Sequence, residues 1–321
     1  MSPKLCVSAC SGFVVACLLA FTLQIFFFSP ISPDLLELPP PSSSDSHLLP
    51  TNTHLQRVIK LGEGHLKDPE DVWVDRNGVV YTATRDGWGL LKVSEDDVTI
   101  LALHHVNGSK ISFTDDVIEA SDGSLYFSVA STKFGFDSWY LDMLEAKPHG
   151  QLLKYDPSSN ETSILLDHLG FANGVALSRD EHYLVVCETL KFRCLKYWLK
   201  GETKGETEIF VQNLPGGPDN INLAPDGSFW VAILEFRSNV MDFVHTSKAS
   251  KHLLAAFPKL FNLINPVTRK GMVINVAADG NIIRKFQDPN GKVMSFVTSA
   301  FEFEDHLYLG SLNSSFMENC H

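Results

Sequence analysis

Five oxygen-bearing side chains occur at the same place in four similar segments of the sequence. They are Glu70, Asp115, Asn173, Asp219 and Asn220. None is Cys or His, and a set of carboxylate and amide oxygens suits Ca²⁺ and is unsuited to Zn²⁺. If the fold brings the four segments together, these residues predict a calcium site. The alternative is that each polar side chain only caps a turn.

The four segments are copies of one repeat, and a fifth, weaker copy follows them. They read PEDVWVDRNGVVYTATRDGW, TDDVIEASDGSLYFSVAST, FANGVALSRDEHYLVVCET, GPDNINLAPDGSFWVAIL and FVTSAFEFEDHLYLGSL. Each copy predicts two short strands joined by a turn. Short strands in units of about 40 to 50 residues, with little helix, are typical of a β-propeller. In a propeller the inner strands surround one channel, where the five side chains would converge.

One segment breaks this strand rhythm. Residues 247–264 carry apolar side chains at helical spacing, interrupted by Pro258. The segment is predicted to be helical. It is either a lid over the mouth of the channel or a helix packed on the edge of the propeller.

The N-terminal residues predict a membrane anchor. Residues 5–28 carry no charge and are long enough to cross a bilayer, although a cleaved signal peptide is the alternative. Because Lys4 precedes the span, residues 1–4 are predicted to be cytosolic and the rest lumenal, in the endoplasmic reticulum or the vacuole. Residues 29–53 are rich in Pro and Ser and predict an extended stalk. Residues 54–321 are the predicted propeller domain.

Sequons for N-glycosylation fit a lumenal location. They begin at Asn107, Asn160 and Asn313. Chance occurrence of these short triplets is the alternative. We expect a single-pass membrane protein of the secretory pathway whose folded domain is exposed to glycosylation.

Two cysteines could form a disulfide in the same compartment. If Leu190 and Lys191 form a two-residue turn, Cys187 and Cys194 face each other on adjacent strands. Opposed strand residues lie within the Cα separation that a disulfide accepts. A pair of reduced, half-buried thiols is the alternative.

The net charge argues against nucleic acid as a partner. The chain has 321 residues with 26 Lys and Arg against 38 Asp and Glu, a formal charge of −12. A negative field of this size repels phosphate backbones.

The repeats resemble those of plant strictosidine synthase-like proteins. The phrases PEDVWVD, DDVIEASDGSLYFSVAS, HGQLLKYDP, FANGVALSRD and LPGGPDNINLAPDGSFWVA carry a resemblance that extends from Leu55 to Leu312 and includes the N-terminal anchor. The resemblance implies a six-bladed β-propeller, in a superfamily with strictosidine synthase, paraoxonases and gluconolactonases.

The resemblance also implies roles for individual residues. The residues that match a paraoxonase-like calcium site are Glu70, Asp115, Asn173, Asp219 and Asn220. Asp71 and Asp116 resemble carboxylates of a second, buried calcium site in the same group. By analogy, Ca²⁺ would polarise an ester or lactone carbonyl while Asp219 or a nearby base activates water. The implied function is a Ca²⁺-dependent arylesterase or lactonase that acts on small hydrophobic esters.

The sequence departs from the family at two places. Only 45 residues separate Glu70 from Asp115, which is about one blade where the family has about two, and the break falls between Trp88 and Gly89. Residues 313–321 lack the apolar strand that should close the last blade. We therefore expect an incomplete propeller, either a five-bladed ring or an unclosed sheet with an exposed edge.

Two other functions remain as alternatives. Strictosidine synthase condenses an amine with an aldehyde through a glutamate on the inner strand of its last blade, and residues 297–300 contain no carboxylate. The nearby Glu302 and Glu304 are interpreted as strand or turn residues that face solvent. Condensation is therefore disfavoured, and a non-catalytic lumenal binding protein is the other alternative.

Four histidines are possible bases. They are His104, His105, His149 and His182. A lone histidine without a recognisable partner is more often a surface or packing residue than a catalyst. None of the four is therefore assigned a role.

Overall fold

The fold is known from a computed structural model. It describes residues 3–38, 50–61, 69–74, 80–84, 90–93, 98–101, 105–106, 109–235, 237–265, 270–314 and 317–320.

Strands dominate the described residues. In chain order they are β1 (Val58–Leu61), β2 (Pro69–Val74), β3 (Val80–Thr84), β4 (Leu90–Val93), β5 (Val98–Leu101), β6 (His105–Val106), β7 (Ser109–Lys110), β8 (Phe113–Glu119), β9 (Leu125–Ser131), β10 (Gly150–Asp156), β11 (Glu161–Leu169), β12 (Ala172–Leu177), β13 (Tyr183–Glu188), β14 (Arg193–Trp198), β15 (Thr207–Val211), β16 (Gly217–Leu223), β17 (Phe229–Leu234), β18 (Gly271–Val276), β19 (Ile282–Asp288), β20 (Val297–Phe303), β21 (His306–Ser311) and β22 (Met317–Cys320).

Five α-helices accompany the strands in the described part of the chain. They are α1 (Pro3–Phe27), α2 (Trp139–Glu145), α3 (Asn239–His245), α4 (Lys248–Ala256) and α5 (Pro258–Ile264). The helical segment predicted around residues 247–264 is therefore present. Pro258 separates α4 from α5 and occupies the first turn of α5, where its missing N–H costs no hydrogen bond.

The strands form antiparallel sheets in which chain order is also spatial order. Three sheets contain four consecutive strands each: β8 to β11, β12 to β15 and β16 to β19. Three hairpins stand outside the four-stranded sheets: β2 with β3, β4 with β5 and β6 with β7. The inner strands β8, β12, β16 and β20 pack side by side, and β2 packs against β20. This is a propeller-like all-β architecture, and the implied count of six blades is not confirmed.

The last sheet is closed by the N-terminal strand. It has the order β1-β22-β21-β20, with Val58 paired to Cys320 and Leu307 also paired to Cys320. The expectation that residues 313–321 contribute no closing strand is therefore wrong. The polar sequence MENC can form a strand because β22 has a partner on both sides, and the ladder hydrogen bonds are made by the backbone.

Side chains that precede β1 fasten it to the neighbouring sheet. Asn52 Nδ2 donates to the carbonyl of Lys285 over 2.7 Å, and Gln287 N donates back to Asn52 Oδ1 over 3.1 Å. Gln56 Nε2 donates to Asp288 Oδ1 over 2.7 Å. The segment before β1 is thus held on β19 by side-chain hydrogen bonds.

The hydrophobic core lies between adjacent sheets. The largest cluster joins sheet β12–β15 to sheet β16–β19 and contains Phe192, Phe210, Ile221, Phe229 and Ile274. All of these side chains are at most 5% exposed. Burial of such aliphatic and aromatic groups is the main driving force that holds the sheets together.

A layer of helices covers one end of the sheets. A separate apolar cluster in this layer includes Leu144 of α2, Met241 of α3, Leu254 of α4 and Phe261 of α5. Ile31, from the segment after α1, is buried in the same cluster. Because Ile31 belongs to the predicted stalk, at least the beginning of that segment packs against the folded domain.

Hydrogen bonds hold residues 29–38 on the helical layer. Asp34 N donates to the carbonyl of Glu145, and Leu36 N donates to the carbonyl of His245. The Lys251 ammonium is fully buried and donates to the carbonyl of Asp34 over 2.5 Å. The chain is thus attached to α2, α3 and α4.

The structure does not establish a membrane span. In the part of the chain whose side chains are described, which begins at Gly12, no helix is both long and apolar enough to cross a membrane. The predicted anchor stays a prediction.

Candidate functional site

A break in strand pairing occurs at the start of each inner strand. In β2, β8, β12, β16 and β20 the register shifts within the first residues. The residues that fall in these irregularities are Glu70, Asp115, Asp116, Asn173, Gly174, Asp219, Asn220 and Thr298. A bulge re-aims the side chains it contains. All five predicted calcium ligands therefore occupy the same irregular position in neighbouring sheets, within the strands and not before them.

Direct contacts join several of these positions. Asn220 Nδ2 donates to Glu70 Oε1 over 2.9 Å, and Thr298 Oγ1 donates to the carbonyl of Glu70 over 2.6 Å. The side chain of Asn173 makes a hydrogen bond with the Asp219 carboxylate. Asn173, Asp219 and Asn220 are each at most 5% exposed. The structure therefore brings Glu70 to Asn220 and Asn173 to Asp219.

Asp71 and Asp116 connect two pairs of inner strands, β2 with β20 and β8 with β12. Asp71 Oδ1 accepts a hydrogen bond from Ser299 Oγ of β20 over 2.6 Å. Asp116 Oδ2 accepts from Val175 N of β12 over 2.7 Å. Each carboxylate also accepts from the backbone N–H of the residue that follows it. The two aspartates thus each follow a predicted calcium ligand, Glu70 or Asp115, and each connects two sheets.

Gly174 allows two inner strands to approach closely. A Cβ atom built at this position would lie 2.5 Å from Ile221 N and 2.6 Å from the Asp219 carbonyl oxygen. These are backbone atoms of β16 that cannot move aside without moving the strand. The glycine therefore allows β12 and β16 to lie close enough for the side chain of Asn173 to contact that of Asp219.

Burial and mutual repulsion perturb the carboxylates of the site. Burial, with the charges of Asp71 and Asp115, raises the pKa of Glu70 to about 8. Burial and the charge of Asp116 raise the pKa of Asp115 to about 8. The pKa of Asp219 is also raised, first by burial and then by Glu70 and Asp115. Although Glu70 and Asp115 keep some exposed area, the surrounding protein desolvates them strongly.

The oxygen atoms of this site would be better satisfied with a hard cation bound than without one. Asn173 Oδ1 is buried and accepts no hydrogen bond from the described residues, and an unsatisfied buried acceptor is costly. The charges that raise these pKa values all belong to carboxylates. Within the described ranges, however, no three His, Cys, Asp or Glu side chains group closely enough to hold a metal without other donors. A cation at this place would therefore need other oxygen donors, such as the amides of Asn173 and Asn220 in the predicted set.

Thr298 and Ser299 were not predicted as part of this site. They occupy the two positions of the fifth repeat that Asp115 and Asp116 occupy in the second. Alignment of the weak copy that starts at Phe296 with the other copies could have identified these two positions. They were missed because hydroxyl side chains are not the carboxylates and amides expected of calcium ligands. Both donate to the first copy, at Glu70 and Asp71.

Both helical insertions leave the sheets at the end that carries the site. Gly217 at the start of β16 pairs with Leu234 at the end of β17, from which the chain continues into α3. Phe113 at the start of β8 pairs with Ser131 at the end of β9, which leads into α2. Asp219 and Asp115 are each two residues into their strands, so the helical layer lies at their end of the propeller.

The two cysteines are joined by a disulfide. Cys187 and Cys194 pair directly across β13 and β14, with Cα atoms 4.0 Å apart, and both are fully buried. The turn is a 3-10 segment at Thr189–Lys191 followed by Phe192 with φ of 50°. Thr189 Oγ1 donates to the carbonyl of Pro218 over 2.7 Å, so this hairpin also supports the residue before Asp219.

The sequons lie on exposed turns where they are described. Asn160 is exposed with φ of 55°, and its Oδ1 accepts from Tyr155 OH. Asn313 is exposed, and its Nδ2 donates to Ser295 Oγ over 2.8 Å. Asn107 lies outside the described residues. Glycosylation stays a prediction at all three positions.

His149 has a partner that the sequence did not reveal. Its Nδ1 lies 3.0 Å from Oδ2 of Asp142, a fully buried residue of α2. The pair fastens α2 to the start of β10. His182 is exposed beside Asp180, His104 lies outside the described residues, and the side chain of His105 is not described.

Glu302 does not face solvent as expected. It is half-buried, and Trp230 Nε1 donates to its Oε2 over 2.5 Å. The interpretation failed because the neighbouring sheet supplies a buried indole N–H, which needs an acceptor. Glu304 is exposed in a turn with φ of 49°.

Comparison with known proteins identifies relatives of the chain. Residues 114–202 match the family described as strictosidine synthase, and residues 49–88 match the family described as strictosidine synthase-like, N-terminal. Strictosidine synthase-like 4 of Arabidopsis thaliana is 30% identical over 351 residues, which cover 94% of this chain and 92% of that protein. The adipocyte plasma membrane-associated protein of Bos taurus is 30% identical over 285 residues, which cover 83% of this chain and 69% of that protein.

A solved structure shares the fold. The calcium-binding protein regucalcin from Agrobacterium tumefaciens superimposes with a TM-score of 0.51 at 13% identity, over 81% of this chain and 92% of that one. At this identity the likeness concerns the fold alone. The identity and coverage of the plant relative show that this chain belongs to the strictosidine synthase-like family.

Proposed function

We propose that the protein is a calcium-dependent hydrolase of small hydrophobic esters, of the arylesterase or lactonase type. The observation that carries the proposal is the ring of oxygen side chains in the bulges of adjacent inner strands, with Asn173 Oδ1 buried and unsatisfied. Glu70, Asp115, Asn173, Asp219 and Asn220 would hold the ion. When bound, Ca²⁺ would supply a positive charge that polarises the carbonyl of an ester.

The protein's own residues supply the other requirements of hydrolysis. Asp219 would accept the proton of the attacking water at a carboxylate oxygen, and its hydrogen bond with Asn173 fixes the orientation of that carboxylate. The apolar helical layer at the same end would exclude bulk water and favour hydrophobic substrates. Such a cation site with apolar surroundings suits a neutral ester.

Calcium-dependent ester hydrolysis tests the proposal. The purified full-length protein should hydrolyse phenyl acetate with CaCl2 and lose the activity in EGTA. Asn173→Ala should reduce kcat at least 10-fold, whereas Asn281→Ala, which changes an exposed turn, should not. Calcium binding without hydrolysis would instead favour the binding-protein alternative. Activity that is indifferent to EGTA would refute the proposal.

Amine–aldehyde condensation receives no support from the last sheet. The hydroxyls of Thr298 and Ser299 are committed to Glu70 and Asp71. Residues 297–300 place no carboxylate on the inner strand β20. The other carboxylate of β20, Glu302, accepts a hydrogen bond from Trp230 Nε1. Condensation would therefore need a base from outside residues 297–300.

We also propose that α1 anchors the chain in a membrane of the secretory pathway, with the propeller in the lumen of the endoplasmic reticulum or the vacuole. The apolar sequence of α1 and the exposed sequons at Asn160 and Asn313 support this topology. Glycosidase treatment of the protein expressed in plant cells should increase its electrophoretic mobility. Asn160→Gln should remove part of that shift, and an unmodified protein in the alkali-soluble fraction would contradict the proposal.

A further inference from the structure

The helical layer presents an exposed apolar face. Its helices bury one side, which includes Met241, Leu254 and Phe261. Large apolar side chains of the layer are exposed to between 38% and 64%: Val240 and Phe243 of α3, Leu260 of α5, and Phe257 between α4 and α5. An apolar surface of this kind on adjacent helices is typical of an interaction site.

This face is continuous with the end of α1. The rings of Phe21 and Phe257 lie 6.1 Å apart, and the rings of Phe26 and His252 lie 5.1 Å apart. Phe27, the last residue of α1, and Phe28, which follows it, are 78% and 83% exposed. The aromatic end of α1 and the apolar face therefore form one surface.

The local charge differs in sign from that of the whole chain. Residues 237–265 contain Arg237, Lys248, Lys251 and Lys259 against Asp242 alone, 4 − 1 = +3, whereas the chain carries −12. Lys248 lies 3.7 Å from Asp34, and Lys251 is buried. Arg237 lies 3.6 Å from Asp242, so most of these cations are paired or buried and the face itself is mainly apolar. An apolar helical face of this kind can lie in the interface of a bilayer.

The face also lies at the end of the propeller that carries the candidate site. Both α2 and α3 continue from strand ends that are level with Asp115 and Asp219. A surface that covers the helical layer would therefore cover the approach to the site from this end.

We infer that the outer face of α3, α4 and α5 lies on a lipid bilayer, so that the candidate site faces the membrane and takes apolar esters that are dissolved in it. The inference rests on the proposed function for the ester substrate and on the proposed anchor for the attachment of α1. It adds an orientation and a source of substrate that neither proposal contains. The bilayer is preferred to a protein partner because the exposed face joins the apolar end of α1 without a break.

Depth-dependent fluorescence quenching tests the orientation. Full-length protein is reconstituted into vesicles of phosphatidylcholine and phosphatidylglycerol in which part of the lipid carries brominated acyl chains. Phe243→Trp places the probe on the proposed face. Ile209→Trp is the matched control, because Ile209 is 48% exposed on the outer strand β15. After subtraction of the parent protein's signal, bromolipid should quench Phe243→Trp at least twofold and leave Ile209→Trp unchanged.

The possible failures are distinguishable. If the protein floats with the vesicles but Phe243→Trp is quenched no more than Ile209→Trp, the orientation is wrong while the anchor stands. If the protein does not float with the vesicles, the anchor and the orientation both fail. If Phe243→Trp is quenched but the protein hydrolyses neither phenyl acetate nor a long-chain phenyl ester in the vesicles, the membrane face stands and the proposed substrate does not.

Discussion

Asn220 Nδ2 donates to Glu70 Oε1 over 2.9 Å, a contact between strands β16 and β2, which both pack against β20. The two residues are 150 positions apart in the sequence. Their contact shows that the inner strands of the first and fourth copies of the repeat converge. The candidate site is therefore shared by several sheets.

Replacement of Glu70 tests the calcium ligands. Glu70→Gln keeps the shape of the side chain and removes a carboxylate whose pKa is raised to about 8 by burial and by Asp71 and Asp115. Because the variant lacks the repulsion between Glu70 and the carboxylates of Asp71 and Asp115, its Tm without calcium should be at least as high as that of the wild type. The calcium-dependent increase in Tm should be lost, whereas the wild type gains about 2.7 kcal/mol at 100 times the Kd.

Calorimetry in EGTA and in CaCl2 provides the measurement. Glu161→Gln, on the outer strand β11, is the control and should keep the full calcium shift. If Glu70→Gln shows the same calcium shift as the wild type, Glu70 is not a ligand.

Gly174→Ala should separate the inner strands β12 and β16. The new Cβ would lie 2.5 Å from Ile221 N and 2.6 Å from the Asp219 carbonyl oxygen, so backbone must move. Overpacking of this kind costs about 1–3 kcal/mol or more. Denaturant unfolding should show this loss, and Gly135→Ala, which meets only an ordinary contact of 3.7 Å, should not. Equal stability of the two variants would mean that the strands are not closely packed at this point.

The repeat predicted more of the fold than of the site. The alternation and turn chemistry of each copy depend on local sequence, so the strand pairs and the coincidence of Glu70 with Asp115 could be predicted. The hydrogen bonds from Thr298 to Glu70 and from Trp230 to Glu302 could not be predicted, because they join different sheets. Strand β22 was missed for a similar reason. Its pairing is made by backbone groups of β1 and β21 and not by its own side chains.

Loss of the disulfide should destabilise the hairpin that supports Asp219. The bond between Cys187 and Cys194 closes a loop with a sequence separation of 7, for which chain entropy predicts roughly 2 kcal/mol. The double variant Cys187→Ala with Cys194→Ala should lose about this much in urea unfolding, and dithiothreitol should then have no further effect. Cys17→Ala, which changes an exposed free thiol, should match the wild type. An unchanged midpoint in the double variant would contradict the structural role.

Burial of His245 should contribute a loss of stability in moderate acid, opposite in sign to the contribution of Glu70 and Asp115. Burial, followed by the charge of Lys251, lowers the pKa of His245 from 6.5 to about 4. Between these values the unfolded chain binds a proton that the folded chain does not. The contribution of His245 to the free energy of unfolding is therefore fully present above pH 6.5. It falls by up to about 1.4 kcal/mol per pH unit towards pH 4.

A variant that cannot titrate isolates this contribution. His245→Met should change the slope of unfolding free energy against pH between 6.5 and 4, so that the variant loses less stability, or gains more, than the wild type as the pH falls. Urea titration at each pH measures the slope. His182→Met, at an exposed histidine, should keep the slope of the wild type. Parallel slopes for all three proteins would mean that His245 is not buried in the neutral form.

Disruption of β22 should open the propeller. This strand lies between β21 and β1, so its backbone must satisfy partners on both sides. Asn319→Pro removes an N–H from the middle of the strand and should release β1, because proline is not tolerated in a central strand. The variant should lose cooperative thermal unfolding and aggregate through the freed edges, in contrast to Asn319→Ala. A cooperative transition in Asn319→Pro at the temperature of Asn319→Ala would show that closure by β22 contributes nothing to stability.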